Sequence, residues 1–179
     1  RNALGAIAVK RGDLATGERE TRAAIAIKAT VRLAHFNLGV IAEERGDLAG
    51  AEAEYRKELE TYADSYRAAF NLSRIYERQS RLNEQIALLK QSITANPRFA
   101  EGHFYLGKAY LDAGTNLPEA MTLARKGLEL DPRSPIAPLG HFVVAGVLLK
   151  QGQPAAAAAE MARGNALEAR LARQKQVIR

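Results

Sequence analysis

The feature that most constrains this chain is a period. Phe36-Asn37-Leu38 returns as Phe70-Asn71-Leu72 and again, after an equal step, as Phe104-Tyr105-Leu106. Phe142-Val143-Val144 is the next return, after a slightly longer step. A period of about 34 residues in helix-forming sequence points to a stack of helix–turn–helix units. In a stack each unit buries its apolar face on its neighbours, and there is no single closed core.

The unit is clearest over Ala34–Leu59. A first amphipathic helix carries Leu38, Gly39 and Ala42, a turn follows at Arg45-Gly46-Asp47, and a second helix carries Leu48, Ala51, Tyr55 and Leu59. Gly can end the first helix and Asp can cap the second. Gly12-Asp13 repeats that turn one period earlier, while Ser80 and then Gly114 stand at it later. Pro97 and Pro132 stop second helices, and Pro118 suits the first turn of one. The expected division is one domain over 1–179, with repeats at about 1–30, 31–64, 65–98, 99–133 and 134–168. A C-terminal helix extension over 169–179 covers the open end of the stack in this reading.

Ala and Leu dominate the apolar content, and Cys and Trp are absent. A disulfide framework and thiolate metal sites are therefore excluded. The net charge is +6, but both signs are interspersed along most of the chain, as on solvated helix faces. The tail is the exception, with Arg163, Arg170, Arg173, Lys175 and Arg179 against Glu168. No run approaches the roughly 18 apolar residues of a membrane span, and no signal-peptide pattern is read in these residues. The chain opens without Met and inside a repeat, so it reads as a piece of a longer protein. Its compartment is left unassigned: cytoplasmic, or periplasmic or secreted if it is the tail of an exported protein.

The pattern resembles the tetratricopeptide repeat. Leu38-Gly39, Ala51 and Tyr55 match that motif in the second repeat, and Leu72, Tyr76 and Pro97 match in the third. Leu106-Gly107, Tyr110, Ala120 and Pro132 match in the fourth once one extra turn residue is allowed. In the fifth, Val144-Ala145 stands for Leu-Gly, with Gly152 and Ala157 in place. The motif's leading Trp is replaced throughout, by His35, Ala69, His103 and His141. The resemblance implies an all-α, right-handed α-solenoid that works as a non-enzymatic protein–protein interaction scaffold and needs no cofactor. The segment AEGHFYLGKAYLDAG is also similar to repeat tails of larger bacterial proteins, secreted sulfatases among them. That leaves a structural or self-associating tail as the alternative function.

The three histidines occupy one repeat position. One helix spacing of about 8–10 Å per layer puts His35 and His103 roughly 20 Å apart, too far to share an ion. They read as packing residues, and no metal site is expected. Nothing pairs a Ser nucleophile with a base, and no glycine-rich phosphate loop follows a strand. Phe36, Phe70, Phe104 and Phe142 recur on the first helix of each pair, where the resemblance implies a concave groove. An aromatic ring there can pack, bind, or do both. With Asn37, Asn71, Arg67, Arg74 and Lys108 beside them, these rings are the expected ligand contacts. Arg78 extends the basic set and favours acidic character in a bound peptide or helix. The family's carboxylate clamp fits poorly, because Asn2, Ala6 and Asn71 stand where Lys, Asn and Arg belong. Nucleic acid is not an expected partner, since Glu43, Glu44, Glu77, Glu101 and Asp112 mix with the groove's bases, and without a long apolar run neither is a membrane.

Overall fold

The computed structural model describes residues 1–177, apart from the Val177 side chain; Ile178 and Arg179, the end of the expected extension, lie outside the described residues. Among the described residues the chain forms helices and no strand. They are α1 (Asn2–Lys10), α2 (Leu14–Ile27), α3 (Ala34–Glu44), α4 (Leu48–Thr61) and α5 (Tyr66–Arg78), then α6 (Leu82–Ala95), α7 (Ala100–Ala113), α8 (Leu117–Leu130), α9 (Ala137–Lys150) and α10 (Pro154–Val177). None is long and apolar enough to cross a membrane. Two compact units divide the chain. The first is Arg1–Ala95, holding α1 to α6, and the second begins at Asn96 and holds α7 to α10.

Turn chemistry sets the helix ends. Gly12 and Gly46 take φ of +80° and +78°. That region is closed to most side chains. The following Asp then accepts a backbone N–H from the next helix: Asp13 from Thr16, and Asp47 from Gly50 at 2.8 Å. Each satisfies a donor that the first turn of a helix leaves without a partner. Ser80 adopts the same left-handed backbone without being glycine, at φ +58°. The longer turn before α8 uses two such residues, Gly114 and Asn116.

One buried triplet recurs on the second helices. It is Gly17, Thr21, Ala24 on α2; Ala51, Tyr55, Glu58 on α4; Gln85, Leu89, Ser92 on α6; and Ala120, Ala124, Gly127 on α8. The steps of four and three keep each triplet on one helical face, turned to the first helices. The first member meets a glycine opposite on α2 and α8, Gly17 with Gly5 and Ala120 with Gly107. A Cβ placed on Gly107 would lie 2.9 Å from the Ala120 carbonyl oxygen, so these two backbones cross too closely for any side chain. The second and third members vary in size, and they decide what else fits.

In α4 the third member is Glu58, fully buried. Its carboxylate accepts the Leu33 N–H at 2.8 Å and the Phe36 N–H at 3.3 Å. These donors open α3, which has no side-chain cap of its own and starts from Leu33 at φ +64°. A carboxylate at a helix N-terminus is favoured by both hydrogen bonding and the helix dipole. Glu58 thus replaces a packing residue with a cap delivered from the neighbouring helix.

In α8 the third member is Gly127. A Cβ there would come within 2.5 Å of the Phe104 ring, and one on Gly140 within 2.6 Å. Phe104 is fully buried in this gap, clustered with Ala100 and Ala137. Leu167 of α10 joins that cluster, and Gly164 of α10 lies against the Phe142 ring. Helix α10 packs on α9 through its first turns and runs on with exposed residues from Ala172 to Gln176.

Candidate functional site

A polar trough of about 360 Å3 lies between α3 and α5 in the first unit, lined by Val40, Glu43, Glu44, Asn71, Arg74 and Arg78. Helical spacing places these residues there. Val40 and Glu44 are four apart on α3, and Asn71, Arg74 and Arg78 follow steps of three and four on α5. Beneath them Tyr55 is fully buried and joins the two helices. Its hydroxyl accepts the Asn71 side-chain amide at 3.0 Å and donates to Glu43 at 2.9 Å. Burial, with the Glu43 carboxylate beside it, pushes the Tyr55 hydroxyl well above the usual phenol range. It therefore remains a neutral donor, and Glu43 is held toward α5, 3.9 Å from the Arg74 guanidinium.

Two of the expected ligand residues, Asn71 and Arg74, line this trough. Phe36 is half-buried one turn before Val40, its ring centre 5.9 Å from that of Tyr55. Phe70 is half-buried as well. Arg67 is exposed at the other end of α5, stacked 5.5 Å over the Tyr66 ring, in a separate cleft of about 140 Å3 that also holds Arg32 and Asp64. In the second unit Lys108 pairs with Asp112 at 2.6 Å, and Phe142 is half-buried on Gly164.

Two of the expected ligand contacts are buried. The space above Gly127 and Gly140 takes the whole Phe104 ring into the core. Asn37 is buried too, and its amide donates to Asn2 at 3.0 Å. Both side chains are committed inside the chain.

The histidines divide into two kinds. His35 Nδ1 donates to Glu54 at 2.6 Å, and His141 Nδ1 to Glu160 at 2.8 Å. Each carboxylate also holds a base one turn on, Lys57 or Arg163. His103 is buried, with Nε2 2.9 Å from the Pro97 carbonyl oxygen. Sequence reasoning took all three for packing residues and overlooked the carboxylates. The available signal was a Glu 19 positions after two of them. Among the described residues no three His, Asp or Glu side chains gather as a metal site would require.

Comparison with known families supplies the classification. Two models described as tetratricopeptide repeat match, one over 2–65 and 86–135 and the other over 66–99. The chain belongs to the tetratricopeptide repeat family. Membership makes it a repeat scaffold for protein–protein interaction, in a family of non-enzymatic scaffolds. No curated protein sequence matches it. Solved structures do. A crystal structure of MamA is 16% identical, with a TM-score of 0.75 over 95% of this chain and 97% of that one. MamA AMB-1 is 20% identical, with a TM-score of 0.74 over 93% and 96%. MamA from Desulfovibrio magneticus RS-1, residues 41 to the end, is 17% identical at 0.73 over 93% and 92%. At such identities the likeness shows the fold alone, that of the all-α solenoids of tetratricopeptide repeats.

Proposed function

We propose that the face formed by α3 and α5 binds a peptide or helix of a partner protein, with the trough above Tyr55 as its centre. The observation that carries this reading is the trough itself. Its floor is a buried tyrosine already hydrogen-bonded, and its walls present polar groups that converge on open space. A segment lying there meets Val40 and the outer edges of Phe36 and Phe70 with its apolar side chains. It meets Asn71, Arg74 and Arg78 with its polar ones. Arg67 extends the surface along α5. Lys108 and Phe142, half-buried in the second unit, keep the role of ligand contacts in this reading.

The test is selection from a random dodecapeptide phage library on the immobilised protein. Enriched peptides are then re-measured in solution against Asn71→Ala and Arg74→Ala, with melting temperature as the check on folding. Expected is a loss of affinity of about tenfold or more in at least one variant whose fold is intact. Enriched peptides that bind both variants as well as the parent would overturn the proposal. A dimer that forms through α3 and α5 and excludes the peptides would favour self-association through the same face.

A further inference from the structure

We infer that the trough between α3 and α5 selects a segment carrying both signs of charge, with a basic side chain toward α3 and an acidic one toward α5. This rests on the proposed binding face and specifies its partner. The four charged residues of the trough are sorted by helix: Glu43 and Glu44 on α3, Arg74 and Arg78 on α5. All four stand toward the C-terminal ends of their helices.

The two edges differ in how their charge is met. Carboxylates at a helix C-terminus sit where the helix dipole is already negative, so they are disfavoured there, while cations are favoured. The last turn of α3 carries no basic residue. Arg45, the next residue, turns its guanidinium to Glu18 of α2 at 2.6 Å. Glu43 has the Tyr55 hydroxyl and a distant Arg74. Glu44 is exposed and has no hydrogen-bond or ion-pair partner among the described residues. The α3 edge is therefore an unneutralised negative spot that a Lys or Arg side chain would relieve.

Arg78 on the opposite edge is exposed, and it too has no such partner among the described residues. Arg74 lies 3.9 Å from Glu43, at the outer limit of an ion pair. A carboxylate between Arg74 and Arg78 gains two guanidinium neighbours, and guanidinium matches carboxylate geometry well. A purely acidic segment would place a like charge beside Glu43 and Glu44, and a purely basic one beside Arg74 and Arg78. Either costs affinity through repulsion at one edge. A mixed pair in the right order is attracted at both.

Charge reversal at Glu44 and Arg78 is the test, because both are exposed and their exchange leaves the packing untouched. Peptides enriched from the random dodecapeptide library are expected to carry an acid and a base within a few positions. Glu44→Lys should weaken such a peptide about tenfold or more, and replacing the peptide's base by Glu should recover most of that loss. Arg78→Glu should behave in the mirror sense, with recovery on replacing the acid by Lys. Enriched peptides of one sign that still lose affinity on Asn71→Ala or Arg74→Ala overturn this inference and leave the binding face standing. Peptides indifferent to all these changes, or no enrichment over the blank support, overturn both.

Discussion

The second and fourth repeats solve one packing problem in opposite ways. Each has a phenylalanine at the same place on its first helix, Phe36 or Phe104. In the fourth repeat the facing triplet ends in Ala124 and Gly127, and Phe104 fills the gap completely. In the second it ends in Tyr55 and Glu58. The tyrosine fills the core and meets Gly39, and the glutamate caps α3. Phe36 is left half-buried at the edge of that ring. A recurring residue type thus has a role set by the volume opposite it, and the period alone does not say which role.

The largest expected effect is at Phe104. Cutting a fully buried ring to alanine removes its transfer free energy and leaves a cavity, at about 3–5 kcal/mol. Phe36→Ala should cost about 1–2 kcal/mol, because that ring is only half-buried and part of it already meets solvent. Urea titration of each variant measures the difference. Equal costs would end the contrast.

Gly127→Val attacks the same contrast from the other side. The new Cβ would collide with the Phe104 ring, and overpacking of this kind costs about 1–3 kcal/mol. Phe104→Ala in the same chain removes the obstacle, so the double variant should be more stable than the sum of the single losses predicts. A strictly additive result would mean the ring is not seated on Gly127. In the second repeat, Glu58→Ala should cost about 1–2 kcal/mol, because two N–H groups at the start of α3 lose their acceptor. Amide exchange at Leu33 and Phe36 should rise with it, and unchanged exchange would deny the cap.

The helices, their turns and the repeat register were legible in the sequence, because the Gly-Asp turns, the Pro stops and the Leu-Gly pairs are local signals. Of the site, the α5 wall was legible in Asn71, Arg74 and Arg78, which follow from helical spacing. What stayed hidden depends on a second helix. Burial of Phe104 requires knowing that Gly127 and Gly140 converge on it. The cap by Glu58 requires the pairing of α4 with the start of α3, although its place in the stripe Ala51, Tyr55, Glu58 marks it as a charge on a buried face. The Arg45–Glu18 pair, which strips α3 of a nearby cation, joins residues 27 positions apart. Reading Arg67, Arg74 and Lys108 as one basic set missed that each answers to a different neighbour.

The smallest effect concerns pH and separates the same two repeats. His35 donates to Glu54 in the second, whereas in the fourth the register equivalent of Glu54 is Leu123, and His103 turns to the Pro97 carbonyl instead. Burial works to raise the Glu54 carboxyl, but hydrogen bonds from Lys57 and His35 outweigh it and hold the group below its ordinary value of 4.5. A depressed carboxyl contributes stability that is complete above that ordinary value and is lost as pH falls through the folded one. Glu18 and Arg22 of α2 share the cleft beside Glu54, so they must be kept intact in the comparison. Replacing Glu54 by Leu imports the fourth-repeat arrangement and removes this contribution, which is about 0.5 kcal/mol for a partly exposed pair. The melting temperature of the parent should therefore fall more steeply than that of Glu54→Leu as pH is lowered from about 5 toward 3, with the two curves parallel between about pH 5 and 6. Identical slopes throughout would show that the His35–Glu54 bond adds nothing to the second repeat that the fourth lacks.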